Sequence, residues 1–259
     1  MPAELIGQIT NKNIPVYHLK AKEPKFRLAI VQADFAPGHT READNTPQKH
    51  ADIVSALMAA TIEGETRPDL ILFQELSMLG GVERIGVDRG LTLSALGFRL
   101  LHDQAKAQKV AIGFGGFFEM GKQYYNSYVV LPKGMTGPLF SCTKFTPINQ
   151  WISQGDGYNY LSHFNTLVSQ CSDLGYTNLV AFIAGGLNQP YSLLIVPAYT
   201  SKDHDLFRLS REPHGLNFQG PIAVINGMNG NSGYDTGNPT TSHIIPPNQE
   251  AVLVADVVL

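Results

Sequence analysis

Two cysteines are all that the 259 residues contain, Cys142 and Cys171. A single pair cannot build a disulfide framework, and free thiols fit a reducing compartment where sulfur stays available for reaction. No apolar run approaches the roughly 18 residues that cross a bilayer as a helix. The opening MPAELIGQIT lacks the basic start and apolar stretch of a secretory signal. These absences predict a cytoplasmic protein with no membrane partner. Charge is also scarce: 16% of residues are Asp, Glu, Lys or Arg, and 19 basic side chains against 22 acidic ones leave a net charge of −3. Without a run of Lys and Arg, binding to nucleic acid is not expected. Common phosphate and hydrolase signatures are missing too. Gly116-Phe-Phe-Glu-Met-Gly-Lys-Gln123 approaches phosphate-loop spacing but has no Ser or Thr after Lys122 to hold magnesium, and it reads better as a strand end and hairpin turn. Gly230-Asn-Ser-Gly233 fails as a serine nucleophile elbow. Asp203-His-Asp205 has no second His at ligand spacing, so no metal site is predicted.

What the chain does have is 43% hydrophobic residues, enough for a sizeable core. Residues 1–25, with Pro2, Pro15 and Pro24, read as an N-terminal extension, an arm or edge segment. One domain spans 26–259, with no internal repeat or break in composition. Apolar runs predict strands over 26–34, 68–75, 110–118, 124–131, 137–144, 164–171, 192–197, 222–226 and 251–258. Strands apolar on both faces suggest sheets covered by helices. Thr46-Pro47 resembles an N-cap followed by proline, opening a helix that ends near Gly64. A second helix is predicted from about Ser94 to Gln108, and a helical stretch over Leu179 to Ala184. Residues 145–160 and 227–240 read as irregular, and the stretch 199–217 as a loop. The alternation of strands and helices indicates one mixed α/β domain.

Three residues stand at strand ends, where α/β sheets expose side chains to a ligand crevice. Glu75 follows Leu70-Ile-Leu-Phe-Gln74, Lys144 follows Leu139-Phe-Ser-Cys-Thr143, and Cys171 follows Leu167-Val-Ser-Gln170. Taken singly, each has an ordinary explanation: a solvated carboxylate, a solvated lysine, a small buried hydrophobe. Cys142 shares the Lys144 face of its strand and reads as buried packing. His163 precedes Cys171 by eight residues, and a Cys–His pair across one short strand ranks below the Glu and Lys arrangement.

Together, and in this order, they resemble the carbon–nitrogen hydrolase (nitrilase) superfamily. The resemblance runs through Phe26-Arg-Leu-Ala-Ile-Val-Gln-Ala33, Pro68-Asp-Leu-Ile-Leu-Phe-Gln-Glu-Leu76, the hairpin Tyr125-Asn-Ser-Tyr-Val-Val-Leu-Pro-Lys-Gly134, the Cys171-Ser-Asp173 core, Leu193-Leu-Ile-Val-Pro-Ala198 and Ala251-Val-Leu-Val-Ala-Asp-Val257. It implies an αββα sandwich with two mixed central sheets and outer helices, two subunits paired as a homodimer, and no cofactor. It further implies a Glu75–Lys144–Cys171 triad acting on a small-molecule amide or nitrile through a thioester. The backbone N–H of Ser172 would join Lys144 at the oxyanion. Three departures from the family pattern stand out. The second glutamate that many members carry after the lysine is missing, with Asn149 or Gln150 in its place. Asn178 stands near the position of an acid after the nucleophile. The C-terminal part is compact, the hairpin around Thr241-Ser-His-Ile-Ile-Pro246 running almost directly into Ala251, so that the tail some members use in assembly is not expected; Gln74, where proline is common, is a tolerable change. The resemblance therefore implies an amidase-type hydrolase, with a degenerate binding or regulatory module of the same fold as the alternative.

Overall fold

The structure, a computed structural model, describes residues 2–9, 13–35, 45–79, 86–137, 139–145, 152–175, 191–199, 205–212, 216–228 and 230–258. Its apolar runs form strands because only a sheet covered on both faces removes every side chain of such a run from water. In chain order the strands are β1 (Glu4–Ile9), β2 (Ile14–Leu19), β3 (Phe26–Gln32), β4 (Leu70–Leu72), β5 (Ala111–Met120), β6 (Gln123–Leu131) and β7 (Phe140–Thr143), then β8 (Tyr158–Leu161), β9 (Thr166–Ser169), β10 (Leu193–Pro197), β11 (Ile222–Ile225), β12 (Ser232–Asp235), β13 (His243–Ile245) and β14 (Ala251–Val257). An eight-stranded sheet runs β1-β2-β14-β3-β4-β5-β6-β7, and a six-stranded sheet runs β13-β12-β11-β10-β9-β8. Both are mixed. β3, β4 and β5 are parallel neighbours in the first, and β9, β10 and β11 in the second.

Alternation along each strand splits the core into layers. Leu70 and Leu72 face the second sheet, in a cluster with Ile30, Val130, Ile195 and Leu253. Ile71 and Phe73 face outward, beneath helices α1 (Thr46–Ala60) and α2 (Val87–Gln108), with Val54, Leu57 and Leu101. On the far side Leu194, Val196 and Val224 pack beneath helix α3 (Leu206–Arg211). The architecture is the expected αββα sandwich. The hairpin β1–β2 adds to the edge of the first sheet, β2 lying parallel to β14. Asp256 secures this join, accepting from Arg27 Nε (2.9 Å) and the Ala21 N–H (3.1 Å) and pairing with buried His18 (3.0 Å).

Several predicted boundaries move. Thr46 is the first helical residue and not the cap; Asn45 holds the cap position, and the Thr46 hydroxyl donates to the Phe35 carbonyl at 3.1 Å. The helix ends at Ala60 because Thr61 is extended. α2 begins at Val87, a full two turns before Ser94, because glycines carry part of its buried stripe. A Cβ on Gly90 would sit 2.5 Å from Phe117, and one on Gly97 2.1 Å from Met78. β8 and β12 fall in stretches expected to be irregular. α3 falls in an expected loop, where the Asp205 side chain caps it by accepting the Arg208 N–H at 3.0 Å. The near-phosphate-loop stretch is the end of β5 and the turn into β6. The helical stretch predicted over 179–184 lies outside the described residues.

Candidate active site

Parallel strands bring their C-terminal ends to one edge of the sandwich, and the candidate site is built there. After β4 the chain continues through Phe73 and Gln74 to Glu75, then turns at Leu76, a non-glycine residue with φ of +52°. Gly115 of β5 makes room for this turn: a Cβ there would come within 2.5 Å of the Leu76 nitrogen and 2.9 Å of Glu75 Cα. Lys144 leaves β7 with its backbone N–H on the Asn126 carbonyl at 2.8 Å. Cys171 follows β9 at φ +42° and opens a short 3₁₀ turn, Cys171–Gly175. A left-handed non-glycine at the point of the turn is a strained conformation of the kind that clusters at functional sites.

The two sheets are stitched together around these residues. Gln170 Nε2 donates to the Cys142 carbonyl at 2.7 Å, and the Phe145 N–H donates to Asp173 Oδ2 at 2.8 Å. Cys142 is packed in the core, its thiol 3.7 Å from the Val168 carbonyl. Lys144 Nζ reaches Glu75 Oε1 at 2.5 Å, with the two side chains 8% and 1% exposed. Asn126 Nδ2 donates to the same oxygen at 2.7 Å. Glu75 Oε2 has no hydrogen-bond partner among the described residues. The Cys171 thiol lies against Glu75 and Lys144 and meets the Tyr199 backbone N–H.

Burial pushes the Cys171 thiol up to about 12, helped by the Glu75 charge and opposed by Lys144 and the Tyr199 N–H. Burial alone would lower Lys144, but the Glu75 charge and hydrogen bond, with Asp173 behind them, outweigh it and hold the ammonium above its ordinary range. The resting site is therefore a protonated thiol beside an ion pair. Such a thiol must lose its proton as it reacts.

The structure thus brings Glu75, Lys144 and Cys171 together from three strand ends. Ser172 follows Cys171 within the turn. Asn149, Gln150 and Asn178 lie outside the described residues. His163 sits at the opposite end of β9 from Cys171, in the turn Ser162–Phe164, so no Cys–His pair forms. Sequence reasoning passed over Asn126 and Asp173 as site residues. Both lay within motifs quoted for other reasons, and the available sign was a polar side chain in or beside an apolar strand. Both are fully buried. Among the described residues no group of three His, Cys, Asp or Glu side chains converges as metal ligands, and no helix is long and apolar enough to cross a membrane.

No protein-family model and no curated protein matches the sequence. Solved structures do match. A cysteine-to-alanine mutant of an amidase of the nitrilase superfamily from Nesterenkonia is 17% identical, covers 92% of each chain and has a TM-score of 0.66. A CN-hydrolase superfamily protein from Xanthomonas campestris, with an arsenic adduct in its active site, is 14% identical over 90% of each chain, with a TM-score of 0.69. The chain has the nitrilase fold. A carbon–nitrogen hydrolase from Helicobacter pylori agrees with this, at 14% identity, 88% and 89% coverage and a TM-score of 0.64. At these identities the likeness speaks to the nitrilase fold and not to the chemistry, which rests on the residues above.

Proposed function

We propose that this chain is a thiol hydrolase of non-peptide carbon–nitrogen bonds, of the amidase type. Cys171 is its nucleophile, Glu75 its general base and Lys144 the cation that meets the developing negative charge. The observation that carries this reading is the convergence of the three side chains at one buried point, with Glu75 Oε2 left free to take a proton. A protein of the same fold supports it: a mutant of the amidase from Nesterenkonia shows Michael addition of acrylamide at its active-site cysteine.

The resting thiol makes Glu75 indispensable. As Sγ bonds to the amide carbon, its proton passes to the carboxylate and the C=O π pair moves onto oxygen. The oxyanion is met by the Lys144 ammonium and the backbone N–H of Ser172; losing one such donor typically costs about 2.7–4 kcal/mol of barrier. Glu75 then delivers the proton to nitrogen, the C–N bond breaks and ammonia leaves a thioester. Water adds to the thioester with its proton again taken by Glu75, and the thiol is released as the carboxylic acid departs. Asn126 holds Glu75 in place through this cycle, and Asp173 holds the chain after Lys144 against the Cys171 turn. The proposal extends to a homodimer acting on a small-molecule substrate, which sedimentation of the purified protein tests.

The decisive experiment is ammonia release from a panel of small amides and nitriles. Release by the wild type that falls at least about a thousandfold in Cys171→Ala is the expected outcome. Saturable binding with no release would instead establish the binding-module alternative.

A further inference from the structure

Gln74 precedes Glu75 and continues the face of β4 that carries Leu70 and Leu72, so it points between the sheets. It is 2% exposed, yet its Oε1 has no hydrogen-bond partner among the described residues. Three other buried amides at this end also have an unpaired oxygen, but each is anchored through its nitrogen. Gln32 Nε2 donates to the Pro246 and Gln249 carbonyls (2.7 and 2.8 Å), Gln170 Nε2 to Cys142, and Asn126 Nδ2 to Glu75. Among the described residues no such bond anchors Gln74. Its amide instead lies beside Tyr199 and Gly227, which follow β10 and β11 of the facing sheet. A Cβ on Gly227 would come 2.7 Å from the Tyr199 ring and 3.4 Å from Gln74 Nε2. Tyr199 is also the residue whose backbone N–H meets Cys171 Sγ. Two consecutive residues, Gln74 and Glu75, therefore each present a buried oxygen without a partner among the described residues: Glu75 lies against the thiol, and the Gln74 amide lies beside Tyr199, whose backbone meets that thiol. A buried acceptor left unpaired is destabilising, and an apolar side chain of the same shape would avoid that cost.

We propose that Gln74 selects primary carboxamides: its Oε1 accepts one N–H of a –CONH₂ group while the other N–H faces Glu75 Oε2. This rests on the active site proposed above and names its substrate class. An N-substituted amide has only one N–H and places carbon against one of the two acceptors. A nitrile has no N–H. A site built around hydrogen bonds rejects both, because the acceptors are then left unpaired in a dry pocket.

The test separates recognition from turnover by using Cys171→Ala, with dissociation constants for propionamide, N-methylpropionamide and propionitrile measured by ligand NMR. Propionamide should bind at least about tenfold tighter than either analogue, the equivalent of one good hydrogen bond. Adding Gln74→Met should bring the three within about twofold while leaving the melting temperature equal or higher. Gly227→Ala, which drives a methyl group into the Tyr199 ring that neighbours the Gln74 amide, should flatten the ranking in the same way. A ranking unchanged in both variants overturns the proposal. So does the absence of a preference for propionamide in Cys171→Ala itself. If the preference is present and Gln74-dependent but the wild type releases no ammonia, Gln74 selects as proposed and the hydrolytic reading alone has failed.

Discussion

The two ends of the sandwich present opposite kinds of surface. At the N-terminal ends of the parallel strands lies a cavity of about 580 Å³, lined by Val130, Phe140, Leu161, Phe164, Lys133 and His163. Its polar groups are exposed or matched: Lys133 pairs with Asp69 at 2.9 Å, Asn159 donates to the Ser141 carbonyl at 2.6 Å, and the Tyr160 hydroxyl donates to Asn165 at 2.8 Å. At the C-terminal ends the polar groups are buried and incompletely matched. An ion pair of 8% and 1% exposure stands beside a raised thiol and several acceptors without donors. The lesson is that a cavity alone does not mark the end at which the proposed chemistry would occur. Each unpaired buried acceptor costs about 1–3 kcal/mol, so a cluster of them beside a nucleophile marks where a ligand would complete the bonding.

The sharpest way to break this contrast is to remove one hydrogen bond at one end and a whole side chain at the other. Asn126→Ala deletes the 2.7 Å bond that fixes Glu75. A bond to a charged group is worth about 1.5–3 kcal/mol, so kcat/KM for ammonia release should fall roughly 10- to 100-fold. The loss should fall mainly on kcat, because the bond positions the base and not the substrate. His163→Ala, in the cavity at the N-terminal ends of the strands, should leave kcat/KM within about twofold. Equal losses in the two variants would remove the distinction between the ends.

This contrast was partly legible in the sequence, for a physical reason. Strands buried on both faces are continuous apolar runs, so β3, β4, β5, β6, β10 and β14 could be found, and with them the charged or sulfur-bearing residues that end such runs. Asn126 was not legible as a site residue because its partner, Glu75, lies 51 residues earlier. Nothing local distinguishes a strand asparagine that orients a carboxylate from one that faces solvent. The start of α2 was hidden because Gly90 and Gly97 pack where an apolar side chain would have shown the period. β12, Ser232–Asp235, has no apolar alternation and is a strand only because β11 and β13 pair with it on either side. The role inferred for Gln74 appears only in three dimensions, once Gly227 and Tyr199 are seen across from it.

A smaller perturbation tests whether the reactive end is as tightly built as its geometry indicates. Gly115→Ala would drive a methyl group into the backbone of Glu75 and Leu76, at 2.5–3.0 Å. Overpacking of this kind costs about 1–3 kcal/mol. The melting temperature should fall by roughly 2–10 °C for a domain of this size, and kcat should fall with it as Glu75 is displaced. Gly7→Ala, in the edge hairpin with nothing within 4 Å of the added carbon, should shift melting by less than about 2 °C. A Gly115 variant that melts and turns over like wild type would show that the Glu75 turn has slack.

The least conspicuous difference between the ends should appear in alkaline stability. The Cys171 thiol is held at about 12 by burial first and by Glu75 second, against an ordinary value of about 8.5. Between these values the unfolded chain has released the proton and the folded chain still holds it. The unfolded state therefore binds fewer protons, and stability must fall as pH rises through this window. Each such group contributes up to ~1.4 kcal/mol per pH unit. Cys142, also raised by burial, adds a slope of the same sign. Lys144 adds none in the lower part of the window, because its contribution is lost only as pH passes above the ordinary lysine range. Urea denaturation between pH 8.5 and 10.5 should show a shallower decline for Cys171→Ala than for wild type, with His163→Ala indistinguishable from wild type. Identical slopes with and without the Cys171 sulfur would mean that the thiol ionises in the fold as it does in the open chain. The fold would then not be holding the thiol proton at all, although at neutral pH a thiol of ordinary acidity still carries a proton for Glu75 to take.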